Sequence, residues 1–527
     1  MAIRLPKPHV IFAILLSAIL LLVIHFSYRE DFEEVWSSLP AKGRQYLGLG
    51  SDSGSNEKNL GDAVFVPGEV KKPNNEISDL SPVKGGEAGG PELPAYCDYC
   101  GPGDLLCKRY GEANLARSRA YEGANARLRR VLRKARSGQP IKIGIIGGSV
   151  SMGHGVEYFQ NWHKFYHDWW KETFPNTEIT LVNGAVPASE SDYFETCYLE
   201  HIDPDVDIVV VEMAINDRRF EWLAEAYEYL IRELLVLPNK PAIINLQVMA
   251  LVFPQITMGG DLELAVAMYY DTPVVNVRNL LLPHILRSNS GAMDDYWFSR
   301  LPNGSVDLRH MSAAGHKIMA DLIISMSERV YCEERRKIWM ESKGISDPFG
   351  TGYVPPEDGT LPGNEVLEEI PRLTLFSKYD HDTVVPPTHP TCLSLKSAKH
   401  PLVPLQADGW EHWIYKNNAE KPYLRATKPG SRISFSVKVG VIGRVRLTYL
   451  RSFSFGLGSV WCWIDEDHAG GRRLDGWWNV EHMNTGANSV VAKDVPAGDH
   501  TLRCELLKET LDPNGGTEFR IIAVDAI

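Results

Sequence analysis

What the 527-residue chain lacks narrows its chemistry first. It lacks basic charge in excess: 55 Lys and Arg stand against 67 Asp and Glu, a formal net charge of −12. Proteins that hold nucleic acid do so through clustered cations on phosphates, so nucleic acid is not expected as a partner. It lacks an internal repeat, which sets solenoids and propellers aside. It lacks a working phosphate loop, because in Gly148-Ser-Val-Ser-Met-Gly-His154-Gly155 the required Lys-Ser/Thr is replaced by His-Gly. The glycine spacing of a dinucleotide fingerprint is missing as well. After Cys97, Cys100 and Cys107 no second pair follows at zinc-site spacing. Neither a metal nor a cofactor is expected.

One long apolar run is present, residues 10–26 (VIFAILLSAILLLVIHF), free of Lys, Arg, Asp and Glu. Arg4 and Lys7 precede it, and Glu30, Asp31, Glu33 and Glu34 follow. Such a helix can just span a thin bilayer, and the flanking charge predicts a cytosolic N-terminus with the bulk in the lumen. A cleaved signal peptide would need a shorter core and a small-x-small site. Here the run leads into His25, Phe26, Tyr28 and Arg29, so an uncleaved anchor is the stronger reading. The expectation is a single-pass type II protein of the secretory pathway, with the Golgi as its place. Eight cysteines, an even count, suit disulfides in that compartment. Cys462 and Cys504, on neighbouring strand-like segments, are the candidate pair. Asn303-Gly-Ser is a glycosylation sequon.

Hydrophobic residues at 44% and charged residues at 23% are the balance of a folded chain, and the length asks for two cores. Residues 1–27 read as tail and anchor. Residues 28–95, rich in Gly, Ser, Pro, Asn and charge, read as a lumenal stalk. Within 96–345, buried strands such as IKIGIIGG and DIVVVEMAIND alternate with helices, the pattern of a parallel sheet covered on both faces. Pro-, Gly- and Asp-rich residues 346–389 read as a linker. Over 390–527 the period changes to two, in RISFSVKV, GRVRLTYLRS and FRIIAVDAI, which predicts an antiparallel β-sandwich of jelly-roll type.

Four segments at strand ends of the α/β region carry candidate chemistry, since open α/β sheets place their sites there. Gly147-Gly148-Ser149 ends a buried strand and presents a serine beside a helix N-terminus. Asn183 to Ser189 follows the next strand, where a turn can aim backbone N–H groups at that serine, or be an ordinary βα turn. Asn216 and Asp217 end a third strand, as an oxyanion donor or as a helix cap. Asp307-Leu-Arg-His310 allows the carboxylate to orient the imidazole within one turn. Each segment alone is weak; their joint occurrence in chain order is not.

Together they resemble the SGNH, or GDSL-like, hydrolase family, with its serine, glycine, asparagine and DxxH blocks. DLRHMSAAGH and AIND carry the resemblance most strongly, and it covers roughly residues 140–330. It implies an α/β, flavodoxin-like three-layer domain in which Ser149 attacks an acyl carbonyl, His310 takes its proton and Asp307 holds the imidazole. Ser149 N–H, Ala188 N–H and the Asn216 amide would hold the oxyanion. Two positions depart from the family: Gly148 stands where an aspartate is frequent, and Ala188 stands where glycine is usual. The second is harmless if the local φ is negative and costly if the backbone is left-handed. His154, His201 and His316 are expected to be structural, and Arg218 and Arg219 to be solvated.

The stretch from GRVRLTYLRS to GDHTLRCELL resembles the β-sandwich beside SGNH domains in some carbohydrate esterases, and the lumenal anchor resembles fungal capsule- or wall-associated members. Trp461 and Trp463, on a strand, are expected in the sandwich core, although exposed aromatic faces also stack on sugars. Three functions remain: an esterase removing acyl, foremost O-acetyl, groups from a polysaccharide or glycan; an O-acetyltransferase using the same serine; and a non-catalytic glycan-binding protein. A single-span anchor supplies no acyl-CoA channel, which favours the esterase.

Overall fold

In a computed structural model the chain is described over residues 92–288, 291–344, 369–388, 390–417, 421–440 and 442–527. The expected anchor (1–27), nearly all of the stalk (28–95) and the first half of the linker lie outside these residues. Among the described residues no helix is long and apolar enough to cross a membrane.

The first domain is built on β1 (Arg119–Tyr121), β2 (Ile141–Gly147), β3 (Ile179–Asn183), β4 (Ile208–Glu212), β5 (Ala242–Gln247) and β6 (Val274–Asn276), in the spatial order β1-β6-β5-β4-β2-β3. The strands β2 to β6 run parallel, and the short β1 lies antiparallel at one edge. Every residue of β4 and β5 is buried, which is why these strands read as unbroken apolar runs. Alternate side chains go to opposite faces. Ile143, Ile145, Ile208 and Val210 join one core with helices 126–136, 162–173 and 313–342. Ile146, Val209 and Val211 join a second with helices 191–197 and 221–235. The central β2 lies between β3 and β4, so the switch point of this doubly wound sheet falls at its carboxyl end.

Two antiparallel sheets form the second domain. One runs β10 (Gln406–Asp408), β13 (Arg432–Val439), β18 (Gly498–Leu506), β15 (Ser459–Ile464), β16 (Arg472–Asp475). The other runs β11 (Glu411–Ile414), β12 (Pro422–Ala426), β19 (Phe519–Ala526), β14 (Val445–Ser452), β17 (Asn484–Ala492), with β9 (Thr391–Ser394) also paired to β19. Their inner faces enclose Phe435, Leu447, Val460, Leu502, Phe519 and Val524. All eight residues of β19 are buried, although a half-exposed strand would alternate. The reason is the neighbouring domain: Ile522 and Ala523 complete the core that contains Tyr193 and Tyr227. Asp525, on the same outer side, meets Arg446 at 2.6 Å and Asn488 at 2.8 Å, and Asn488 reaches the carbonyl of Asp192 at 2.8 Å.

Four disulfides use all eight cysteines. Cys462 and Cys504 face each other across β15 and β18 and are bonded. Cys197–Cys392 joins the helix 191–197 to β9 and so crosslinks the two domains. Cys97–Cys332 ties the N-terminal segment to the long helix 313–342. Cys100 and Cys107 lie close to Asp104, but they are bonded to each other and present no thiolate to a metal.

Two local expectations are corrected. Trp461 and Trp463 are only partly buried: it is Val460 and Cys462, the alternate residues of β15, that enter the core. Asp307 and His310 lie not on a helical turn but on a strand, β8 (Val306–Met311), paired with β7 (Phe298–Arg300). The described part of the linker packs on the α/β domain. Leu373 is buried, and the buried Arg232 donates to the carbonyls of Pro371 and Val385 at 2.9 and 2.7 Å.

Candidate active site

The carboxyl end of β2 gathers the segments singled out above. Gly148 is extended, and Ser149 begins the short helix Ser149–Met152. A Cβ at Gly148 would lie 2.3 Å from Oδ1 of Asn216, so a side chain there would drive the asparagine away from the serine. The turn is held from behind. Ser151 Oγ donates to Glu212 Oε2 at 2.9 Å, and the amides of Asn161 and Asn183 donate to the Ser151 carbonyl at 3.0 and 3.1 Å. Burial pushes the Glu212 carboxyl up to about 7, against the pull of Ser151 and the Gly148 N–H.

Ser149 Oγ lies 2.8 Å from Nε2 of His310, and Nδ1 of His310 lies 2.6 Å from Oδ2 of Asp307. The other oxygen, Oδ1, accepts from the backbone N–H groups of Arg309 at 3.0 Å and His310 at 3.4 Å. Burial raises the Asp307 carboxyl, but the bond to His310, its charge and the two backbone donors together hold it below the ordinary carboxylate value. An ionised Asp307 accepts from Nδ1–H of His310, which leaves Nε2 as the acceptor for the serine hydroxyl.

The expected backbone donor sits in the strained geometry. Ala188 has φ +61°, the left-handed region that costs an L-residue about 1 kcal/mol or more. It is held there because its carbonyl accepts from Gly486 N of β17 at 2.6 Å, beside the bridge between Ser189 and Gly486. Neither Ser149 N–H nor Ala188 N–H is bonded within the described residues. The Asn216 amide donates to the Ser189 carbonyl at 2.8 Å.

This last bond belongs to a grip that local sequence reading missed. Three consecutive residues hold three others: Asn216 takes Ser189, Asp217 accepts from Ser191 N at 2.8 Å, and Arg218 pairs with Glu190 at 2.7 and 2.9 Å. Asp217 thereby meets the orphan N–H at the start of the helix Ser191–Cys197. Arg218 is therefore not solvated: it is largely buried against the fully buried Glu190 and is 5.0 Å from the ring of Trp478. Arg219 is exposed and donates to Thr257.

The cleft over Ser149 has a volume of about 140 Å³. Beside residues of the α/β domain it is lined by Lys421, Met483, Asn484 and Thr485 of the sandwich, so both domains form its walls. His154, expected to be structural, lies in the cleft with its ring 5.3 Å from that of His310. His201 and His316 are core residues. Burial pushes both down to about 3; His201 meets Tyr193 OH at 2.7 Å, and His316 Nδ1 accepts from Trp162 N. Asn303 is exposed in the β7–β8 loop.

No family model matches the chain, and no curated protein matches it. Among solved structures it is similar to a two-domain esterase active on acetylated mannans. The two share 17% identity with a TM-score of 0.55, over 78% of this chain and 98% of that one. The same esterase co-crystallised with mannopentaose aligns with a TM-score of 0.53 at 17% identity, over 78% and 97%. The chain shares the two-domain fold of that esterase. At this identity the likeness is one of fold, and the chemistry rests on the side chains.

Proposed function

We propose that the chain is a serine esterase that removes acyl groups, O-acetyl foremost, from a glycan. The observation that carries this is the relay Ser149–His310–Asp307 at 2.8 and 2.6 Å, beside two unbonded N–H groups and the Asn216 amide. Ser149 Oγ attacks the acyl carbonyl as its proton passes to His310 Nε2. The oxyanion is met by Ser149 N–H, Ala188 N–H and Asn216 Nδ2. The tetrahedral species collapses, the sugar oxygen leaves with the proton from His310, and the acyl group stays on Ser149. Water then attacks as its proton passes to His310, and collapse returns that proton to Ser149 Oγ as the acyl–oxygen bond breaks and the carboxylic acid leaves. An acceptor hydroxyl in place of water would make the same serine a transferase.

A glycan substrate is supported by the similar esterase, which acts on acetylated mannans, and by a cleft walled by both domains. On this reading residues 96–345 and 390–527 are the working domains, held in the secretory lumen by the apolar run of residues 10–26, with Asn303 glycosylated. The test is acetate release by the full chain from acetylated polysaccharides, with and without an acceptor glycan. Ser149→Ala should abolish release and labelling by a fluorophosphonate. Equal turnover by Ser149→Ala, or a folded wild type inert to probe and esters, refutes the proposal.

A further inference from the structure

Phe220 and Trp222 stand largely in water. They are 48% and 44% exposed. Phe220 occupies the N-cap of the helix Glu221–Leu235 and makes no capping bond, although Ser, Thr, Asp or Asn would stabilise that helix more. Their rings are nearly parallel, 13° apart with centroids separated by 6.2 Å. The Arg218 guanidinium lies 5.3 Å from each centroid and is itself fixed by the buried Glu190, so cation–π attraction holds the pair in place. The same guanidinium is 5.0 Å from the ring of the buried Trp478 of the sandwich, so the cation that holds the pair also touches the second domain. The pair follows Asn216 by four and six residues, on the carboxyl edge of the sheet where Ser149 lies.

Resting on the esterase reading, we infer that Phe220 and Trp222 form a platform for a pyranose ring next to the acylated sugar, so that the enzyme grips a glycan chain and not only its ester. A pyranose presents a face of C–H groups that packs on an aromatic face, while its hydroxyls point sideways into water. Rings already oriented by a buried ion pair lose little entropy on binding. An aryl acetate ends at its leaving group and carries no neighbouring sugar to stack on the platform.

The experiment compares the full chain with Phe220→Ala, Trp222→Ala and Trp222→Tyr on acetylated mannan and on p-nitrophenyl acetate, with melting temperatures recorded for each. Each alanine variant should raise KM on acetylated mannan roughly three- to tenfold. kcat should stay within about twofold, as should both constants on the aryl acetate, and Trp222→Tyr should keep most of the affinity. An unchanged KM on the mannan overturns the inference, and so does an equal loss on both substrates. If the wild type turns over the aryl acetate through Ser149 but does not deacetylate the mannan, the platform reading falls while the hydrolase reading stands. If it turns over neither, the hydrolase reading itself falls.

Discussion

Asp307→Asn is the sharpest test of the relay, because the structure says which way the new amide must face. Oδ1 of Asp307 accepts from two backbone N–H groups, those of Arg309 and His310. An NH2 at that position would oppose two donors, so the asparagine keeps its oxygen there and turns its NH2 toward His310 Nδ1, 2.6 Å away. Nδ1 must then accept, and the ring proton moves to Nε2, which lies 2.8 Å from Ser149 Oγ. The imidazole becomes a donor toward the serine and can no longer take its proton. Loss of the correct tautomer lowers kcat by about four decades, which is about 5 kcal/mol of transition-state stabilisation. The two backbone bonds survive, so the fold should lose no more than about 1 kcal/mol. Asp307→Ala removes the orienting group without enforcing the wrong tautomer and should retain more activity than Asp307→Asn. The assay is acetate release from an aryl acetate at pH 8, with thermal melts of both variants. More than a tenth of wild-type activity in Asp307→Asn, or an alanine variant weaker than the asparagine one, refutes the argument.

Asn216→Ala removes one proposed oxyanion donor and should cost roughly 100- to 1,000-fold in kcat; a loss below tenfold would show that the amide serves only the Ser189 carbonyl. Ala188→Gly relieves the left-handed strain at φ +61°, partly offset by a freer unfolded chain, so urea unfolding should show a gain of less than about 1 kcal/mol with activity kept; clear destabilisation would contradict it. Burial raises the Glu212 carboxyl from 4.5 to about 7, so the folded state binds its proton more tightly than the unfolded one. Its contribution is therefore most favourable below pH 4.5 and declines as pH rises to about 7, by on the order of 3 kcal/mol. Glu212→Gln should flatten that decline in melts between pH 5 and 8, and parallel curves for the two proteins would exclude it.

Much of the fold is written locally. The unbroken apolar runs of β4 and β5 announce strands covered on both faces, and the change to period two after residue 390 announces the sandwich. The chain order of Ser149, Asn216, Asp307 and His310 is legible because each follows or lies on a strand, and strand ends are where such sheets converge. The Cys462–Cys504 neighbours are legible for a related reason: both lie on inward-facing positions of apolar strands. Local signals of this kind arise because periodicity and turn chemistry act over a few residues.

What only the tertiary structure decided depends on residues far apart in the chain. Ala188 is held left-handed by Gly486, nearly 300 positions later, and no local propensity announces that bond. Cys197 meets Cys392 across 195 positions. Lys421, Met483, Asn484 and Thr485 enter the cleft because β19 packs its outer face on the α/β domain. Trp461 and Trp463 read as core from their place on a strand, yet the side of β15 that faces inward is settled by its register with β18. Burial of Arg218 follows from the grip of 216–218 on 189–191, two loops that meet only once the sheet has formed. A sequence specifies such contacts through the whole fold, since the entropy of closing those long loops is offset only when the surrounding cores assemble together.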